Sequence, residues 1–549
     1  MSHWWEHAVV YQVYVRSFAD ADGDGIGDLA GLRSRLDHIA GLGADAIWLN
    51  PVYPSPQRDH GYDVADYFAI EPAYGDLAGF DELVAAATSH GLRVVMDIVP
   101  NHCSDRHSWF RAALAAAPGS DERARFYFRD GRGVDVPPNN WPAAFGGSAW
   151  TPVGGEDRQW HLGTFTPYQP DFDHEHPAVQ QLFADVLRFW ADRGVEGYRV
   201  DAVHPVGKAP GLPDAPPLGP GEYNPYTFFR PEGHAVWRRW REVLDGYSAE
   251  HPGRDLMMIA EAYAPRHPEL IAEYTRPDEF HQCFSFDLML SPWHAPSMRR
   301  AIAEAFEHVI PQGNWPTFAL NNHDAERIVT RLGTPGITSA DAWTGMSLHN
   351  EVGEFDLAVG TRRARAAAGL LLGLPGAAYL YQGEELGLPE VLDLPDDVRQ
   401  DPTFFNTGGQ RKGRDGCRIP IPWSMSPDGS FGFSPTGGSA PWLPQPADWG
   451  RFALDRQVGD ESSMLALYRQ LITARRHFLD VGDAELLDTD DNVVVLRRGD
   501  AVVACNVGSE PVEVAAADGL RPVITTDADG VLDGATVPGD TTIWFRPDR

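Results

Sequence analysis

Three acids stand at the ends of short apolar runs. Asp201 closes Gly197-Tyr198-Arg199-Val200-Asp201, Glu261 closes Ile259-Ala260-Glu261, and Asp324 follows Asn321-Asn322-His323. Breaking a glycosidic bond needs one acid to protonate the leaving oxygen and a second carboxylate to attack the anomeric carbon or activate water. Arg199 lies two residues before Asp201, on the same face of a strand, so it can pair with that carboxylate and favour its charged form. His102, at the end of Asp97-Ile98-Val99-Pro100-Asn101-His102, and His323 add donors suited to hydroxyl groups. Any one of these acids read alone could be a helix cap or a salt-bridge partner. Several of them at successive strand ends make a site.

A second acidic group lies near the N-terminus, in Asp20-Ala21-Asp22-Gly23-Asp24-Gly25-Ile26-Gly27-Asp28. Its carboxylates fall where a calcium loop takes its first, third, fifth and ninth ligands, and Ile26 falls where a backbone carbonyl is used. The twelfth position is Gly31, not Glu, so the loop is not an EF-hand. Four carboxylates this close repel one another unless a cation intervenes. The expectation is a structural Ca2+ or Mg2+ held by Asp20, Asp22, Asp24, Ile26 and Asp28, with no organic cofactor.

Parallel strands would bring the acids together. Short β-branched runs recur at Val9–Phe18, Ala46–Asn50, Arg93–Val99, Gly197–Val203, Met257–Tyr263, Cys283–Leu288, Thr317–Asn321 and Ala377–Tyr381, separated by amphipathic stretches such as Leu29–Leu42, Gly79–His90 and Val179–Arg193. This alternation predicts an α/β fold, a (β/α)8 TIM barrel, whose C-terminal strand ends carry the chemistry. About 70 residues rich in Pro, Gly and Trp follow the third run and predict an inserted subdomain. The tail alternates in period two and predicts an antiparallel β domain. The expected units are a barrel over 1–101 and 173–479, a subdomain over 102–172 and a C-terminal β domain over 480–549.

Composition narrows the partners. A formal net charge of -33 over 549 residues disfavours nucleic acid and anionic membranes and suits a neutral small molecule, here an oligosaccharide. Cys103, Cys283, Cys417 and Cys505 form no CxxC pair, so neither a zinc site nor a disulfide framework is expected. No basic leader opens the chain and no apolar run reaches about 18 residues. A cytoplasmic enzyme is expected, with its oligomeric state left open.

These segments resemble the ordered signature regions of the α-amylase superfamily of glycoside hydrolases, in its α-glucosidase and oligo-1,6-glucosidase branch. The resemblance extends to Gly61-Tyr62-Asp63-Val64-Ala65-Asp66-Tyr67, Asn139-Asn140-Trp141, Phe145-Gly146-Gly147-Ser148-Ala149-Trp150, Gln169-Pro170-Asp171, Tyr381-Gln382-Gly383-Glu384-Glu385 and Arg414-Asp415-Gly416-Cys417-Arg418. It implies Asp201 as nucleophile, Glu261 as general acid/base and Asp324 as transition-state stabiliser. It further implies that Asp59 and Arg414 close a glucose pocket, that Tyr62 stacks on the sugar, that His102, Arg199 and His323 bind its hydroxyls, and that Phe145 and Phe165 form an apolar wall. The acidic loop matches the family's metal site.

Three positions depart from the branch: Phe172-Asp173 stand where Leu-Asn is usual, His204 where Asn is common, and Ala202 where α-1,6-cleaving members carry Val. The small Ala202 favours maltose and short malto-oligosaccharides over isomaltose. The expected activity is a retaining, exo-acting α-glucosidase. A transglucosidase, a trehalose-forming isomerase or an oligo-1,6-glucosidase shares the same machinery. A non-catalytic scaffold would be expected to lose one acid, and all three are present.

Overall fold

A computed structural model describes residues 3–133, 135–218, 222–264, 267–335, 355–426, 429–478, 484–489, 492–528, 530 and 534–548. Strands β1 (Val9–Val13), β2 (Ala46–Leu49), β3 (Arg93–Ile98), β4 (Gly197–Val200), β5 (Met257–Ala260), β6 (Gln282–Cys283), β7 (Thr317–Ala319) and β8 (Ala377–Tyr381) form one sheet. Neighbours pair in parallel, β8 pairs back to β1, and one parallel bridge from Phe284 to Thr317 joins β6 to β7. The sheet closes on itself as a (β/α)8 barrel.

Alternation along the strands sorts the side chains into two layers. Val10, Trp48, Val95, Ile259, Ala319 and Tyr379 form one apolar cluster within the barrel, with Trp5 packed on it. The intervening Tyr11, Ile47, Met96, Tyr198 and Met258 belong to the larger core shared with the helices. One step further along, the inward register turns polar at Gln12, Asn50, Asp97 and Arg199, all buried. That switch positions the site.

The helix Pro177–Asp192 shows how a crossover is specified. Its proline sits at the first turn, where an N–H would go unused, and the His176 ring accepts the Ala178 N–H at 3.1 Å. Val179, Leu182, Phe183, Val186, Leu187 and Trp190 form the buried stripe. Tyr198 of β4 donates its hydroxyl to the Leu187 carbonyl at 2.6 Å, fixing helix against strand.

Three segments differ from expectation. The first run leaves the sheet after Val13 and winds into a 3-10 turn at Val15–Ser17. The sixth is a strand only at Gln282–Cys283, because after the bridging Phe284 the chain turns, with the Leu290 N–H donating to the Phe286 carbonyl at 2.9 Å. Leu29–Leu42 is two helices, Leu29–Arg33 and Leu36–Leu42; the Ser34 hydroxyl donates to the Gly31 carbonyl at 2.7 Å and competes with the helical ladder.

Between β3 and Pro177, the strands Phe128–Asp130, Trp150–Gly154 and Asp157–Leu162 make a small antiparallel sheet. The chain returns through antiparallel bridges pairing His102 with Asp171 and Phe126 with Phe172, which set Gln169 and Asp171 beside the end of β3.

Near the C-terminus a five-stranded antiparallel sheet, in the order Glu485–Leu487, Val493–Arg498, Ala501–Asn506, Thr541–Arg546 and Arg521–Thr525, lies on the helix Leu357–Gly373. Gly369 and Gly373 share the contacting helix face. A Cβ at Gly369 would lie 2.6 Å from Thr526 Cγ2, and one at Gly373 2.8 Å from Val503 Cγ1, so the close approach needs glycine at both. The expected start of this unit at residue 480 lies outside the described residues. The four cysteines are buried and unpaired, and no described helix is long and apolar enough to cross a membrane.

Candidate active site

Register brings the acids together. Asp97 on β3 lies opposite Arg199 on β4, which lies opposite Ile259 on β5. Just past those pairs the Asp201 N–H donates to the Ile98 carbonyl at 2.8 Å and the Glu261 N–H to the Val200 carbonyl at 3.0 Å. Arg199, its side chain 1% exposed, donates to Asp97 Oδ1 at 2.8 Å and Asp201 Oδ1 at 2.7 Å, and its second terminal nitrogen lies 3.5 Å from Glu261 Oε2. A planar fork can serve three carboxylates in this way, where an ammonium would not reach them together.

Glu261 has a further partner. Ala202 adopts φ +42°, a left-handed turn that aims its N–H at Glu261 Oε2, 2.7 Å away. That leaves Oε1 to carry a proton. Burial pushes the Glu261 carboxyl up to about 7 against the opposing pull of Arg199 and the Ala202 amide. Burial also raises Asp201, with Arg199 opposing and Glu261 adding to the rise. Arg199 lies closer to Asp201, at 2.7 Å, than to Glu261, at 3.5 Å, which favours the charge on Asp201 and the proton on Glu261.

Asp324 is held in the opposite sense. Burial would raise it, but His323, Arg414 and Arg418 outweigh that and keep its carboxyl below the usual range. Arg414 and Arg418 both donate to Asp324 Oδ1, at 2.8 and 2.9 Å. His323 is buried, which drives it well below its ordinary value and keeps it neutral. The Gln12 amide donates to His323 Nδ1 at 2.8 Å, so Nε2 carries the hydrogen, 2.7 Å from Tyr62 Oη and 3.1 Å from Asp324 Oδ2. Tyr62 donates to Asp97 Oδ2 at 2.8 Å and its ring stacks on His323.

The remaining expected residues form a wall beside this group. Arg414 donates to Asp59 Oδ1 at 2.9 Å and Asp401 Oδ2 at 2.5 Å, and its guanidinium lies over the Phe145 ring. Gln169 donates to Asp59 Oδ2 at 2.9 Å and lies 3.1 Å from His102 Nε2. Phe165 packs on His102 and on Phe145, with ring centres 5.0 and 6.1 Å apart. All eleven residues expected for catalysis and sugar binding are thus linked in one network.

Sequence reasoning gave no role to Gln12, Asn50, Asp97, Asp401 or Arg418, which hold those residues in place. Gln12, Asn50 and Asp97 had a signal: polar residues at or next to the end of apolar strands, in the inward register. Asp401 had none for this role, since it stands at the N-cap of the short helix Pro402–Asn406, where an Asp reads as a helix cap.

Lys208 was also missed. It is one of two lysines in the chain and is buried. Its three protons meet Asn101 Oδ1 at 3.0 Å, Asp171 Oδ2 at 2.8 Å and the Pro205 carbonyl. It pins the turn after Asp201 to the segment carrying Gln169. Lys208→Met is expected to cost about 3–5 kcal/mol by leaving Asp171 charged and unpaired. Lys208→Met with Asp171→Asn is expected to recover much of that loss in urea unfolding.

The acidic loop brings oxygens of Asp20, Asp22 and Asp28 within 4.8 Å of one another, an all-oxygen set that fits a hard cation. Asp24, largely exposed, accepts the Ile26 N–H at 2.7 Å, and partial desolvation together with the nearby Asp22, Asp20 and Asp28 carboxylates raises its pKa. Asp28 also caps the helix Leu29–Arg33, accepting the Gly31 N–H at 2.6 Å.

The chain is similar to known proteins over most of its length. Residues 12–481 match the model of the α-amylase catalytic domain. The chain is 37% identical over 526 residues to a probable α-glucosidase of Rhizobium meliloti, covering 91% of this chain and 88% of that protein. It is 35% identical to maltase 1 of Drosophila virilis, covering 90% and 76%. The solved α-glucosyl transfer enzyme XgtA superposes with a TM-score of 0.85 at 34% identity, covering 100% of each chain. The chain belongs to the α-amylase family and is a glycoside hydrolase.

Proposed function

We propose that the protein is a retaining, exo-acting α-glucosidase releasing α-glucose from the non-reducing end of maltose and short malto-oligosaccharides. The observation that carries this reading is the sharing of Arg199 by Asp201 and Glu261, which suits the short carboxylate spacing of about 5–5.5 Å that retention uses. Asp201 attacks the anomeric carbon while Glu261 gives its proton to the leaving oxygen. Glu261 then takes a proton from water as that water releases α-glucose from the ester. Asp324, kept ionised, stabilises the positive charge that develops on the sugar ring. The Asp59–Arg414 pair ends the pocket behind one glucose unit, which favours removal of single units from a chain end. Proton NMR of fresh maltose digests tests this: α-glucose first supports retention, β-glucose first overturns it.

A second reading, transfer of the glucosyl group to a sugar, is favoured by the likeness to the α-glucosyl transfer enzyme. New disaccharides at high maltose would show it.

For the preference for α-1,4 bonds the support is Ala202. Ala202→Val is expected to raise the isomaltose-to-maltose ratio of kcat/KM by about tenfold. The ratio is the proper readout, because a β-branched residue at this left-handed position is also strained.

We assign a structural Ca2+ or Mg2+ to Asp20, Asp22, Asp24, the Ile26 carbonyl and Asp28, a reading supported by the close approach of the Asp20, Asp22 and Asp28 oxygens. EDTA is expected to lower Tm by several degrees, with recovery in excess Ca2+. The double variant Asp20→Asn, Asp22→Asn is expected to show no response to either.

A further inference from the structure

Past the nucleophile the chain makes a second unusual turn. Phe229 holds φ +53°, a left-handed backbone that bulky residues rarely adopt and that marks segments shaped by function. Its N–H donates to the His204 carbonyl at 2.8 Å, three residues beyond Asp201. Its ring stacks on the His204 imidazole, 5.4 Å between centres at 21°, and meets Tyr223 edge-on at 5.3 Å. Tyr223 in turn donates its hydroxyl to the Tyr263 carbonyl at 2.8 Å, two residues beyond Glu261. The partly exposed rings of Phe229 and Tyr223 are thus fastened both to the turn after the nucleophile and to the end of the strand carrying the acid/base.

In the proposed reading the enclosed glucose would lie against Tyr62, Asp59, Arg414 and Phe145. With Glu261 giving its proton to the departing oxygen, the departing sugar would lie on the Glu261 side, where Tyr223 is tied to the Tyr263 carbonyl and Phe229 packs on Tyr223. An aromatic ring covers the apolar face of a pyranose. We propose that Phe229 is a specificity-determining residue that stacks on the departing glucose unit, an inference that rests on the roles given above to Asp201 and Glu261.

The test compares maltose with α-glucosyl fluoride, whose leaving group carries no sugar. Phe229→Ala is expected to lower the maltose-to-fluoride ratio of kcat/KM by about tenfold, mainly through KM for maltose. Phe229→Leu, which keeps apolar packing without a flat ring, is expected to do the same, and Phe229→Tyr to preserve the ratio. Equal losses on both substrates in the Ala and Leu variants, or an unchanged ratio, would overturn the proposal. Failure of the underlying reading looks different: the wild-type protein would then cleave neither substrate, or Asp201→Asn would remain active.

Discussion

Asp201→Asn is expected to lower kcat on maltose by about four orders of magnitude or more, because in the proposed mechanism the residue makes and breaks the bond that divides the reaction into two steps. The fold should not suffer. Burial raises the Asp201 carboxyl above its ordinary value, so its ionisation at neutral pH works against the folded state, and a neutral isostere removes that cost. Tm is expected to stay level or rise. A shorter side chain gives a more specific outcome: Asp201→Gly with azide should release β-glucosyl azide from α-glucosyl fluoride, the anion attacking from the vacated face. Activity within tenfold of wild type in Asp201→Asn would remove Asp201 from the mechanism.

Glu261→Gln is expected to lose about 10³–10⁴-fold on maltose, whose leaving glucose needs a proton. It should lose far less in the glucosylation step with an aryl glucoside bearing an acidic phenol. The pH dependence follows the same residue. Its carboxyl is pushed up to about 7, so the proton donor is intact below that pH and is lost as pH rises through it. The alkaline limb of kcat/KM for maltose is therefore expected near pH 7. Glu261→Gln is expected to lack that limb with the aryl substrate, and persistence of the limb would assign the proton to another group.

The barrel was legible because continuous apolar runs and the helical periodicity of the stretches between them are local signals. Each run had to be buried on two faces, and its first polar inward residue had to meet those of its neighbours at one end. Arg199 and Glu261 follow from that rule alone, and Asp201 lies two residues beyond Arg199 on the same face. Strand ends were less legible: Phe284 is as apolar as Cys283, yet the ladder stops there because the partner strand offers a single bridge. The holders of the site were harder still. Asp401 meets Arg414 and Lys208 meets Asp171 through contacts distant in sequence, and no spacing rule encodes a side chain's reach across loops. The resemblance to a known family supplied Asp59 and Arg414, which spacing could not.

The single bridge between Phe284 and Thr317, reinforced by the Ser285 N–H to the Thr317 carbonyl at 2.9 Å, has a mechanical meaning. Most neighbouring strands exchange a ladder of bonds, whereas this seam can unzip with little loss, so its amides should be among the first of the barrel to exchange hydrogen for deuterium. The seam falls between the strands carrying Glu261 and Asp324. Asp201 and Glu261, the proposed nucleophile and acid/base, lie together on one side of it and Asp324 on the other. Opening of the seam would therefore change the distance between Asp324 and the Asp201–Glu261 pair.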